Sequence, residues 1–178
     1  MVKILSETIA VSKLSELFAL ELGFLHDDAR QIGIAAALHD VGKLWIPNCV
    51  LNKPGKLSFA DFEIVKTHTK IGAQILLDVP GELGEMARIT CEFHHEWHDG
   101  NGYWGIPTSE LPDYVPIVSI SDVFVACCAK RSYKDPWPPE QVLEHLQTLS
   151  DKQFSKALVD EFIRFIKENK DVAAIFAI

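Results

Sequence analysis

Apolar side chains recur along the chain at the three- and four-residue spacing of helix faces. Val11, Leu14, Leu17, Phe18 and Leu22 share one face of a first helix, and Gly23 is placed to end it. A second helix is predicted from Asp28 to about Asp40. The stretch PNCVLNKPGKLS reads as a loop, because Pro47, Pro54 and Gly55 punctuate it. Ser58 with Asp61 is a capping-box signal for the next helix, which carries Ile64, Val65, His68, Ile71, Gly72 and Ile75. A further helix from about Glu82 runs into HHEWHDGNGYW, where Gly100, Gly102 and Gly105 stop it. LPDYVPIVSISDVFVACCAK has a β-branched run that alone suggests a strand, but it reads better as a Pro-started, wholly buried helix. DPWPPEQVLEHLQTL and FSKALVDEFIRFIKENK add two amphipathic helices, the second with Phe162, Phe165 and Ile166 on one face. No repeat, low-complexity tract or domain boundary interrupts the series, so residues 1–178 read as one all-α domain.

Composition narrows the function classes. With 178 residues, 48% of them hydrophobic, the chain can bury a real core. A net charge of -8 argues against a duplex nucleic-acid surface, which needs basic residues to replace phosphate counterions. An anionic substrate would need local cations or metals. Cys49, Cys91, Cys127 and Cys128 include no CxxC pair, which fits a reduced, cytoplasmic compartment. Glu7 and Glu16 interrupt the apolar pattern of the N-terminal stretch, so it reads neither as a signal peptide nor as a membrane span.

The candidate chemistry gathers around histidines. Adjacent helical side chains diverge by about 100°, so His94 and His95 can face one site only if it is broad, such as a metal cluster, or lies at a helix end. His39 and Asp40 sit at one predicted helix end, His68 on the next helix, and Asp122 within an apolar helix. Imidazole and carboxylate ligands without thiolates suit iron, manganese or zinc. A carboxylate can bridge two metals, and a pair roughly 3.5 to 4 Å apart can hold an activated hydroxide and neutralise charge on a phosphoryl group. Taken singly, each residue has a plainer explanation: a packed His68, a paired core acid at Asp122, inert core thiols at Cys127 and Cys128. His26, His98 and His145 lie in polar surroundings and read as surface residues. Only the set is specific.

As a set, ALHDVGK, LNKPGKLS, KTHTKIGAQIL, HHEWHDGNGYW, SISDVFVA and KRSYKDPW resemble, in order and spacing, the HD-GYP domain. This is a bacterial branch of the HD metal-dependent phosphohydrolases, and the similarity runs from about Val11 to Phe165. It implies a helical bundle, with a five-helix HD core and further C-terminal helices behind it. It also implies a non-haem binuclear or trinuclear centre, typically of iron or manganese, that hydrolyses cyclic di-GMP to pGpG or onward to GMP. In that resemblance His39 and Asp40 are the name-giving ligands, Asp40 being the bridge, and His68, His94, His95 and Asp122 match the other ligand positions. Lys43 matches a lysine beside the bound phosphate, Tyr103 belongs to the substrate rim, and Arg131 with Lys134 matches a phosphate clamp.

The departures from the family pattern set further expectations. Gly102-Tyr103-Trp104 stands where the family has Gly-Tyr-Pro, which removes a fixed φ, brings in a large ring and leaves the loop open to repositioning. Val125 replaces a usual Asp, and Ser132 a usual Pro. Counting back along the first helix, Glu7 replaces a usual histidine and Lys3 the acid of three-metal members, so the expectation is two divalent ions, with Glu7 as a further ligand. Two other readings stay open. One is a phosphohydrolase for another cyclic dinucleotide or a nucleotide. The other is a catalytically weak module that binds the dinucleotide or a protein partner such as a diguanylate cyclase. The apolar tail VAAIFAI is read either as docking on its own domain or as a homodimer contact.

Overall fold

The computed structural model describes residues 2–129, 135–169 and 172, without the side chains of residues 2–5. Eight α-helices are described: α1 (Val2–Glu21), α2 (His26–Leu38), α3 (Asn48–Leu51), α4 (Phe59–Ile75), α5 (Gly81–Phe93), α6 (Tyr114–Cys128), α7 (Pro139–Thr148) and α8 (Lys156–Glu168). Short 3-10 turns at Val41–Trp45 and Thr108–Glu110 connect them. The fold is all-α, with no β-strand among the described residues. None of the described helices is long and apolar enough to cross a membrane.

Two boundaries differ from the sequence reading. The stretch expected to be wholly loop contains α3, whose four residues are too few to show a helical period. Helix α5 ends at Phe93, before His95 and well before the glycines expected to stop it. At the start of α4 the expected capping box forms: Ser58 accepts the Asp61 N–H, and the Asp61 carboxylate accepts the Ser58 N–H.

Helix α6 is the axis of the main core. Its apolar residues point in nearly every direction, so the helix is stable only when surrounded. Ile117, Val118, Ile120, Phe124 and Cys128 are all buried against α1, α2, α7 and α8. Phe162 of α8 meets the Phe18 ring edge-on at 4.9 Å and the Phe124 ring at 5.5 Å, and each such burial contributes roughly 1.5–3 kcal/mol. Val125 belongs to this core, which explains why an apolar residue suits that position.

A second, smaller apolar cluster of Ala35, Ala73, Leu76, Ala87 and Cys91 joins α2, α4 and α5. Its small side chains let backbones approach closely. A Cβ on Gly42 would lie 1.9 Å from the His68 carbonyl oxygen, and one on Gly72 would lie 2.9 Å from Cys91 Sγ. These glycines press the turn after α2 onto α4, and α4 onto α5. The approach brings the C-terminal ends of α2 and α5 to the middle of α4.

Candidate metal centre

His39 caps the C-terminus of α2, and Asp40 follows at the head of the 3-10 turn. His68 projects from α4, His94 caps the C-terminus of α5, and Asp122 projects from α6. Three of the imidazoles are held the same way. Nδ1 of His39 lies 2.6 Å from the Ala36 carbonyl, and Nδ1 of His68 lies 2.6 Å from that of Val65. Nδ1 of His94 lies 3.0 Å from the Cys91 carbonyl and 3.1 Å from that of Thr90. A carbonyl only accepts, so Nδ1 carries a proton in each ring and Nε2 is the nitrogen turned inward.

Asp40 stands at the hub of these nitrogens. Its Oδ1 lies 3.2 Å from His68 Nε2 and 3.7 Å from His94 Nε2. Its Oδ2 lies 3.2 Å from His39 Nε2 and 2.5 Å from Lys43 Nζ. Asp122 Oδ1 approaches His39 Nε2 at 3.6 Å from the other side. His95 completes the group, its ring packed against that of His94 at a tilt of 44° with centroids 4.1 Å apart. Two overlapping sets could each hold a metal ion: His68, His94 and His95, and His39, Asp40 and His94, with ligand atoms within 4.8 Å of one another in each. His26, His98 and His145 belong to neither set; His26 is exposed, whereas His98 and His145, expected at the surface, are half-buried, the latter against the Trp137 ring.

Charge in the site follows from burial and proximity. Burial works against a charged His39, but the carboxylates of Asp40 and Asp122 outweigh it and raise its pKa to about 10. Burial likewise disfavours charge on Asp40, yet His39 and Lys43 hold it well below the usual carboxylate range. Asp122 is also lowered, against its burial, by His39. Burial and the neighbouring imidazoles drop His95 to about 3 and push His94 well below its ordinary value, so both rings are neutral with free lone pairs. Cys91 is close by but is not a ligand: burial and the charge of Asp40 push its thiol up to about 12, and Sγ donates to the Leu38 carbonyl.

Two buried atoms of the hub, His39 Nε2 and Asp40 Oδ1, have neighbours but no hydrogen bond of workable geometry. A buried polar atom left in this way costs about 1–3 kcal/mol, and a cation between the two sets would satisfy both. The donors are nitrogen and oxygen with no thiolate, which is the chemistry of a hard or borderline divalent ion. The residues therefore fit a metal centre.

Residues 2–158 match the family model described as HD domain. The chain belongs to the HD domain family. Among curated relatives it is 38% identical over 166 residues to a cyclic di-GMP phosphodiesterase of Thermotoga maritima, a match covering 93% of this chain and 45% of that protein. It is 40% identical over 149 residues to the 3′3′-cGAMP-specific phosphodiesterase 2 of Vibrio cholerae, covering 79% of this chain and 28% of that protein. The chain thus spans less than half the length of either relative. Among solved structures it shares the fold of Bd1817, an HDG"Y"P protein from Bdellovibrio bacteriovorus, with a TM-score of 0.72 at 19% identity over 92% of this chain and 52% of that one.

A cavity of about 310 Å³ in this HD domain is lined by His39, Asp40, His68, His95, Asp122 and, at its walls, Glu7, Lys43 and Tyr103. Glu7 is thus on the cavity wall, as the register count along α1 suggested. The Tyr103 ring packs against His95 at a tilt of 36°, with centroids 4.4 Å apart. Burial, with the charges of Asp40 and Asp122, pushes its hydroxyl up to about 12, so it is a neutral donor. Arg131, Ser132 and Lys134 lie outside the described residues, as do the Lys3 side chain and most of the VAAIFAI tail.

One residue of the site escaped the sequence reading. Glu96 is buried, and its carboxylate accepts the Trp104 N–H at 2.7 Å and the Ile106 N–H at 2.8 Å. It folds the glycine loop back over the end of α5. Gly102 lies inside that fold, where a Cβ would come within 2.5 Å of Glu96 Cα. An acid immediately after a histidine pair was a visible signal, but its partners are backbone groups, which no side-chain motif announces.

Proposed function

We propose that this HD domain is a metal-dependent phosphodiesterase for cyclic dinucleotides, working in the cytoplasm with cyclic di-GMP as substrate and two divalent ions, iron or manganese, or zinc in their place. The observation that carries the reading is the division of Asp40: one oxygen faces His68 and His94, the other faces His39. That is the arrangement a bridging carboxylate needs. His39 and Asp122 would serve one ion and His68, His94 and His95 the other, with Glu7 as a further ligand from the wall. Such a pair, when bound, supplies Lewis acidity that activates water and neutralises charge on a phosphoryl group.

The chain's own residues would do the rest. Lys43, anchored on Asp40, stabilises negative charge gathering on the phosphate, a role worth a few kcal/mol in a site shielded from water. Tyr103, held against His95, offers its O–H to a phosphate oxygen. Arg131 and Lys134 would clamp the second phosphate. A cavity of about 310 Å³ is at the small end of ligand pockets, so it takes the scissile phosphodiester while the bases extend over the rim. The names of the relatives support both a cyclic di-GMP and a 3′3′-cGAMP reading, since the more identical of the two is specific for the mixed dinucleotide.

Product analysis by ion-pair chromatography tests this, using anaerobically purified protein loaded with Fe(II) or Mn(II) and offered either dinucleotide. The expected result is linear product from the wild type and none from Asp40→Ala. Equal rates from a folded Asp40→Ala variant would refute the metal mechanism, and the ratio of the two substrate rates would choose between the readings.

A further inference from the structure

Trp104 occupies the position where the resembling family has proline, and the structure gives it work that proline could not do. Its backbone N–H donates to Glu96 Oε1 at 2.7 Å, a bond unavailable to proline, which has no N–H. Its indole Nε1–H donates to Thr69 Oγ1 at 3.1 Å. The Thr69 hydroxyl spends its own proton on the Lys66 carbonyl at 3.0 Å, so its oxygen is turned to receive the indole. The Lys70 ammonium lies 3.7 Å from the centroid of the indole ring, within range of a cation–π contact. Thr69 is fully buried and Trp104 half-buried, so this bond is partly shielded from water.

The neighbours of the two partners give the contact its meaning. Thr69 follows His68 on α4, and Tyr103, immediately before Trp104, is packed against His95. The indole therefore ties the helix that carries His68 to the loop that backs His95, two members of one candidate ligand set, across 35 residues of sequence. We propose that Trp104 is a positioning residue, a latch that holds His95 and Tyr103 against His68 before any metal binds. On this account the Gly-Tyr-Trp sequence replaces the stiffness of proline with two hydrogen bonds and a cation–π contact, and the site is not a decayed one. The inference rests on the metal-centre reading of the site.

The test is a Mn(II) titration of metal-free wild type, Trp104→Phe, Thr69→Val and the double variant, by isothermal calorimetry at a temperature where all four are folded by circular dichroism. Trp104→Phe keeps a smaller ring beneath Lys70 and removes the donor, and Thr69→Val keeps shape and removes the acceptor together with the hydroxyl's bond to the Lys66 carbonyl. Each single change should weaken Mn(II) binding about fivefold, the equivalent of one net hydrogen bond. The double variant should be no weaker than either single one, because all three lack the same bond. A purely structural role would lower the melting temperature and leave Mn(II) affinity among folded molecules unchanged, and that result overturns the latch, as do single effects that add in the double variant. Failure of the wild type itself to bind Mn(II) would remove the metal centre and the latch together, whereas tight wild-type binding with unaffected variants removes the latch alone.

Discussion

Gly42→Ala perturbs the backbone crossing on which the centre depends. The added Cβ would meet the His68 carbonyl oxygen at 1.9 Å, Gly72 N at 2.6 Å and the His68 carbonyl carbon at 2.9 Å. All three are backbone atoms of α4, so no side chain can swing aside. Ordinary contact begins near 3.4 Å, so the turn and α4 must part by about 1.5 Å along the closest approach. Asp40 is two residues from Gly42, and its 3.2 Å approach to His68 would open by a comparable amount. Overpacking of this kind costs about 1–3 kcal/mol, or roughly 2–12 °C in melting temperature for a chain of this size. A displacement of about 1 Å in a catalytic arrangement costs on the order of a hundredfold in rate. Differential scanning fluorimetry, metal content by mass spectrometry and cyclic dinucleotide turnover together measure these effects. A Gly42→Ala protein with wild-type melting temperature, metal content and rate would refute the reasoning.

Glu96→Gln leaves one loop N–H facing an amide donor in place of an acceptor, so the melting temperature should fall by roughly 2–12 °C for a loss of about 1–3 kcal/mol. Limited proteolysis should then cut first near Gly102. Mn(II) at a hundred times its dissociation constant should stabilise the wild type by about 2.7 kcal/mol, seen as a rise of roughly 5–11 °C that EDTA reverses and Asp40→Ala lacks. Asp61, bonded by Lys53 and by the side chain and backbone of Ser58, titrates at about 2 instead of its ordinary 3.8. Its folded pKa is depressed, so its contribution to stability is complete above pH 3.8 and disappears as the pH falls to about 2. Asp61→Asn should therefore melt below the wild type at pH 7, and the gap should close across that acid window.

The helical fold was legible because its evidence is local. The periodicities of α1, α4 and α8, and the Ser58–Asp61 cap, each lie within a few residues of sequence. The end of α5 was not legible, because what stops it is not the glycines. His94 turns its Nδ1 back to the carbonyls of Thr90 and Cys91, and Glu96 reaches forward to the N–H groups of Trp104 and Ile106. The gathering of His39, Asp40, His68, His94, His95 and Asp122 could be read as a set, since each lies in its own recognisable motif. Its division around Asp40 could not, because that depends on which carboxylate oxygen faces which ring. Trp104 reads in the sequence as the loss of a proline. Its bond to Thr69 is a long-range pairing of two common residue types, and a single sequence holds no trace of it.

The most direct test of the metal centre is anomalous diffraction from crystals of anaerobically prepared protein, collected on both sides of the iron and manganese absorption edges. The account predicts two peaks flanking Asp40, one beside His39 and Asp122 and the other beside His68, His94 and His95. A single peak that leaves Asp40 unshared, or metal bound elsewhere on the molecule, would contradict it.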